Sequence, residues 1–160
     1  MRIAFLLLAV GYLPSVAGAA ESCPWLNAAT AGGFLGGPVT GVTVKRATAG
    51  DDASCEFVRH EASVALNLRI EVETMRSPAK DFASYAARCH SAATPLKAIG
   101  SEGALACSDE RGGQLAEQVV GRVRDRAFLV RISTSERAAQ PDALRDKARK
   151  VAEQVAGILF

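Results

Sequence analysis

Val64-Ala65-Leu66-Asn67-Leu68-Arg69-Ile70-Glu71-Val72-Glu73 is the stretch that decides how this chain folds. Val64, Leu66, Leu68, Ile70 and Val72 alternate with Ala65, Asn67, Arg69, Glu71 and Glu73. A period of two puts one face of a strand on a core and the other in water. That is the mark of an antiparallel sheet, since parallel sheets are buried on both faces and read as unbroken apolar runs. Working backward, the short link Glu61-Ala62-Ser63 makes a hairpin with a strand over residues 54–60. Residues 39–46 read as a strand before it, across a polar turn at Gly50-Asp51-Asp52.

Working forward, Ser77-Pro78 opens a helix that runs to about residue 90, with Ser77 as cap and Pro78 at the first helical position. Phe82, Tyr85, Ala86 and Cys89 share one face of it at spacings of three and four. A strand surrounds Leu105-Ala106-Cys107, and residues 109–113 form a turn. Residues 114–124 and 127–134 make a second hairpin with Asp125 at its tip, and Phe128, Val130 and Ile132 face the core. Pro141-Asp142 begins a final helix whose apolar stripe is Leu144, Ala148, Val151, Val155 and Ile158. At the other end, Asn27 caps a short helix over residues 28–35, stopped by Gly36-Gly37-Pro38. Gly32 and Gly33 weaken that helix by about 1 kcal/mol each relative to alanine, so packing must hold it. The expectation is an α+β domain: an antiparallel sheet of about six strands with helices on one face.

Ahead of this domain stand Met1-Arg2, an apolar run over residues 3–13, Pro14, and Ala17-Gly18-Ala19-Ala20. One positive charge, a short hydrophobic segment and a small-residue site predict a signal peptide over residues 1–20, cleaved after Ala19 or Ala20. A spanning helix needs about 20 apolar residues, and this run is broken well short of that. Lipidation wants small residues just before a cysteine, and Glu21-Ser22 precede Cys23 instead. The 160 residues less a leader of about 20 leave a single domain over residues 21–160. Its location is expected to be periplasmic or secreted, with no integral span in the mature chain.

The formal net charge is +2, and falls to +1 when the leader removes Arg2. Such a balance offers no long-range attraction for nucleic acid or an anionic membrane. Four cysteines remain: Cys23, Cys55, Cys89 and Cys107. An even count in an exported domain predicts two disulfides, with three possible pairings. Cys23–Cys55 and Cys89–Cys107 are favoured because each links neighbouring elements. Each bridge is worth about 3 kcal/mol on the chain-entropy model. There is no C-x-x-C to support thiol exchange and no paired spacing for zinc.

Several signatures resemble a known group. Cys23-Pro24-Trp25-Leu26-Asn27, Leu35-Gly36-Gly37-Pro38-Val39 and Ser54-Cys55-Glu56-Phe57 are similar to small bacterial envelope proteins of unknown function. Ile99-Gly100-Ser101-Glu102-Gly103-Ala104 resembles the glycine-rich entry to the second half of PsbP-like and LpqN-like domains. Members of that group are commonly lipoproteins, from which Glu21-Ser22 departs. The resemblance implies a non-enzymatic binding or accessory module of the cell envelope, and it brings no catalytic residues with it.

No cofactor or metal motif and no catalytic constellation stands out. Gly32-Gly33-Phe34-Leu35-Gly36-Gly37 lacks the Lys-Ser/Thr ending of a phosphate loop. His60 and His90, the two histidines, end a strand and a helix with nothing in the spacing to join them. Gly100-Ser101-Glu102-Gly103 falls short of a nucleophile elbow and precedes a strand, so Ser101 is a turn residue. Glu71 and Glu73, about 7 Å apart along one strand, have the spacing of paired glycosidase acids, but solvated carboxylates lack the burial that raises a pKa. Arg122, Arg124, Arg126 and Arg131 concentrate positive charge on the second hairpin. Arg122, Arg124 and Arg131, with the exposed residues of the 64–73 strand, form the candidate binding patch for a protein or small ligand of the envelope. Alternatives are hydrolysis of an envelope polymer through Glu71 and Glu73, or inhibition of a lytic enzyme or protease by the turn at residues 109–113. Glu117 shares the apolar side of its strand with Leu115 and Val119, which places it at a sheet margin or beside an arginine.

Overall fold

A computed structural model describes residues 22–47, 52–89, 92–101, 103–111, 113–136 and 139–160. Residues 1–21, where the leader is expected, residues 48–51 of the turn around Gly50, and His90 lie outside the described residues. The elements are α1 (Ala28–Leu35), β1 (Gly41–Arg46), β2 (Ala53–Glu61), β3 (Val64–Thr74), α2 (Pro78–Ala86), β4 (Thr94–Leu96), β5 (Ala104–Arg111), β6 (Gln114–Val123), β7 (Arg126–Thr134) and α3 (Pro141–Leu159). The strands form a seven-stranded antiparallel sheet in the order β1-β2-β3-β7-β6-β5-β4. The alternating strand β3 sits inside the sheet, flanked by β2 and β7.

The α+β class and both favoured bridges hold, with Cys23 bonded to Cys55 and Cys89 to Cys107. The sheet has one more strand than expected. β4 pairs with β5 in the register Thr94↔Ala106, Pro95↔Leu105 and Leu96↔Ala104. Pro95 hides this strand from a sequence reading, and proline is tolerated there because β4 is an edge. The turn expected at 109–113 is also narrower. β5 continues through Asp109 and Glu110 to Arg111, opposite Gln114. Asp109 turns to the polar face, where Arg131 pairs with it, and Glu110 is exposed on the other face opposite Leu115, so their charge does not mark a turn. The loop that could be offered to another enzyme there shrinks to the two residues between the strands.

The helices, expected on one face, divide between the two faces of the sheet. α1 and α3 cover one face, burying Leu35, Leu144, Ala148, Val151 and Val155 against Cys55, Phe57, Leu68, Ile70, Val119, Phe128, Val130 and Ile132. The stripe on α3 ends on Leu159, which packs on this core, while Ile158 is 49% exposed. α2 lies on the opposite face, where Tyr85 and Phe82 meet Val120, Ala127 and Leu129. The sequence of β6 and β7 accounts for this second layer: Val120 and Leu129 are apolar at the alternate positions that would otherwise be polar.

Local chemistry explains the ends of α1. The Asn27 side chain accepts a hydrogen bond from Thr30 N at 2.8 Å, and Gly36 takes the left-handed exit at φ 83°. Arg59 donates to the Leu35 carbonyl at 2.9 Å, which satisfies one of the last carbonyls of the helix. At α2, Ser77 makes no side-chain cap; instead Asp81 Oδ2 accepts from Ser77 N at 2.8 Å. Gly121 is required by a close approach, because a Cβ there would stand 2.3 Å from the ring of its cross-strand neighbour Phe128.

The buried glutamate on β6 is paired. Glu117 lies inside the α3-covered face, with Arg145 Nε of α3 at 3.1 Å from Oε2 and Ser108 Oγ at 2.5 Å from Oε1. Arg145 Nη2 also donates to Ser108 Oγ at 3.1 Å, so acid, base and hydroxyl close one network that joins β5, β6 and α3.

Candidate polar site on the open half of the sheet

α2 covers only part of its face, above Val120, Ala127 and Leu129. The rest is polar and open. Antiparallel register sets its side chains in rows across the strands. Glu56, Arg69, Arg131 and Gln118 form one row on β2, β3, β7 and β6. Asn67 and Ser133 sit opposite each other in the next row. Arg69 and Arg131 are direct cross-strand partners, an arrangement of like charges that costs stability unless acids neutralise it. The acids are present. Arg69 Nη2 is 2.5 Å from Glu71 Oε1, and Arg131 Nη1 is 3.1 Å from Asp109 Oδ2. Glu56 accepts a hydrogen bond from the Asn67 side chain.

A third guanidinium arrives from outside the sheet. Arg88 follows α2, stands 4.8 Å over the Tyr85 ring, and places Nη1 2.6 Å from Glu71 Oε2. Its backbone is held twice: the buried Gln118 donates to the Arg88 carbonyl at 2.8 Å, and the adjacent Cys89 is bridged to Cys107. Arg69, Arg88, Arg131, Glu56, Glu71 and Asp109 thus surround a hollow of about 390 Å³. A second hollow of about 600 Å³ shares Arg69, Glu71 and Arg88 and continues past Glu73 to Lys45 and Arg46 on β1. Both volumes fall within the usual range for small-molecule sites, although most such sites are apolar and this one is not.

The structure divides the expected arginine patch. Arg131 joins the exposed residues of β3, as the sequence suggests. Arg122 lies four residues further along β6 than Gln118, Arg131's partner, a distance of about 13 Å. Its guanidinium stands 5.7 Å from the Phe82 ring of α2. Arg124 occupies the hairpin tip with φ 53°, its N–H donating to Ser101 Oγ at 2.8 Å. Arg126 pairs with Asp52 at 3.4 Å and stands over Trp25. These three do not form one surface with Arg131.

Glu71 and Glu73 share the polar face, but their oxygens are engaged. Two guanidiniums hold Glu71, and the Tyr85 hydroxyl donates to Glu73. A glycosidase pair wants one carboxyl kept protonated in apolar surroundings, and a site between two arginines is the opposite environment. Ser101 is tied into its turn, with its N–H on the Arg122 carbonyl at 2.8 Å. His60 is exposed at the end of β2. Among the described residues no group of three or more His, Cys, Asp or Glu is placed to hold a metal ion. Among them, too, no helix is long and apolar enough to cross a membrane.

Sequence reasoning misses Glu56, Arg88, Gln118 and Asp109 as members of this site. One signal is available for Arg88: it precedes a cysteine whose bridge fixes its place. For Gln118 the signal is its position at the alternate, outward phase of β6.

Burial, then the Glu73 carboxylate, pushes the Tyr85 hydroxyl well above its ordinary value of 10.0. The folded chain therefore keeps a proton that the unfolded chain releases above about pH 10. This contribution to stability is complete below that pH and falls as the pH rises beyond it. Wild type is expected to lose urea resistance more steeply than Tyr85→Phe between about pH 10 and 11, in midpoints followed by circular dichroism. Parallel curves would show that the phenol is not held in this way. No protein-family model, curated protein or solved structure matches this chain.

Proposed function

We propose that the mature chain is an exported, non-enzymatic binding or accessory module of the cell envelope, and that its ligand lies across the open polar half of the sheet. The observation that carries this reading is the hollow ringed by three guanidiniums and three carboxylates, each held by a partner on the protein. Formal charge there sums to zero, so the surface does not select a strong anion or cation. Paired donors and acceptors in fixed orientation suit a ligand rich in hydroxyl and amide groups, such as a fragment of an envelope glycan. Two disulfides favour an oxidising compartment, as does the signal peptide read from residues 1–20. The resemblance to PsbP-like and LpqN-like domains points the same way.

The test is titration of the oxidised mature domain with soluble envelope-glycan fragments, followed by calorimetry and by amide shifts. Arg131→Ser is expected to weaken binding about tenfold, the effect of losing one charge-assisted hydrogen bond of roughly 1.4 kcal/mol. Arg124→Ser, at the hairpin tip, should leave it unchanged. Equal affinity in wild type and Arg131→Ser, or no binding by wild type, would remove the polar face from the account.

A further inference from the structure

β1 is one edge of the sheet, paired only with β2 among the described residues. The opposite edge, β4, is three residues long and carries Pro95, two features that block strand addition. β1 has six residues and no proline, and its Val42 is 45% exposed. The helices sit over β2, β3, β5, β6 and β7, and among the described residues the outer side of β1 carries no further strand; the Arg46 side chain at its end donates to the Ser22 carbonyl at 3.1 Å.

Its sequence is complementary to itself. In an antiparallel pair of two copies centred on Thr43, Thr43 meets Thr43, Val42 meets Val44 twice, and Lys45 meets Gly41 twice. Cross-strand Thr–Thr and β-branched pairs are favourable, and the basic residues of the two copies fall at opposite ends. Centring on Val44 instead would set Arg46 against Val42, and centring on Lys45 would oppose two lysines. Face also agrees: Val42 and Val44 lie on the side covered by α1 and α3, so the pair would continue that apolar surface across the seam.

We propose that two copies of this chain associate through antiparallel β1–β1 pairing centred on Thr43, making one continuous sheet across a two-fold axis. Six residues a side make a small interface, so the dimer is weak and concentration-dependent. It leaves the polar hollow on each copy and does not depend on the ligand reading.

Sedimentation equilibrium of the oxidised mature chain, from micromolar to millimolar concentration, should show a reversible monomer–dimer equilibrium. Val42→Lys should weaken it about tenfold, through two lost cross-strand pairs. Register is read separately by single cysteine substitutions along β1. Thr43→Cys should give a disulfide-linked dimer, with the new bridge located at position 43 by peptide mapping. Lys45→Cys should not, because the two copies of residue 45 stand about 13 Å apart in this register. A chain monomeric throughout would overturn the proposal. So would a dimer that Val42→Lys leaves intact, or equal cross-linking at the two positions.

Discussion

Arg145→Met is expected to destabilise the domain by about 3 kcal/mol, the lower end of the range for removing one partner of a buried ion pair. The lower end applies because the Arg145 side chain is 39% exposed while Glu117 is almost wholly buried at 1%. Without the guanidinium, Glu117 keeps a hydrogen bond from Ser108 but, among the described residues, no counter-charge inside the α3-covered face. Glu117→Leu with Arg145→Met should recover to within about 1 kcal/mol of wild type, since apolar replacement of both partners is often neutral or stabilising. Urea unfolding with the disulfides intact measures both, and the coupling follows from the double-mutant cycle. Additive losses in the double variant would mean that the two residues do not act as a pair. A carboxylate on an otherwise apolar strand face also disfavours a one-residue slip of β6, which would carry Glu117 out of reach of Arg145.

Loss of either disulfide is the second large effect. Cys23 and Cys55 are 32 residues apart and Cys89 and Cys107 are 18 apart. Chain entropy assigns these loops roughly 3–4 and roughly 3 kcal/mol. The bridges lie on opposite faces, and their removal should differ in kind. Cys23→Ser with Cys55→Ser frees the segment that leads into α1, under the main core, and should lower stability while leaving the polar hollow formed. Cys89→Ser with Cys107→Ser should lower stability and also loosen Arg88, whose place is set by the adjacent bridge and by Gln118. Thermal unfolding reports the first effect for both variants. Arg88 side-chain resonances should broaden only in the second. Identical behaviour of Arg88 in the two variants would show that the second bridge does not position it.

What is legible in the sequence is what local chemistry dictates. The alternation over 64–73 specifies the core strand and its two faces, Asn27 and Gly36 specify α1, and neighbouring placement favours, among three pairings, the two sulfur pairs that form. What is not legible depends on contacts between distant residues. Arg145 reaches Glu117 across 28 positions, so the sequence says only that Glu117 needs a margin or a cation. The arginine patch is half legible for the same reason: strand phase places Arg131 and Arg122 on one face, but only α2 decides which of them it covers. Pro95 conceals β4, and charge at Asp109 and Glu110 conceals the length of β5, because both are read as breakers until the neighbouring strand is known.

All of the functional reading rests on export followed by oxidation. Intact-mass analysis of the protein isolated from its native cells, with thiols trapped at lysis, tests that most directly. The expected species is a chain beginning after Ala19 or Ala20, with no trapped thiol and a mass four hydrogens below the reduced form, as two bridges require. A chain that keeps residues 1–20 and carries four trapped thiols would contradict it.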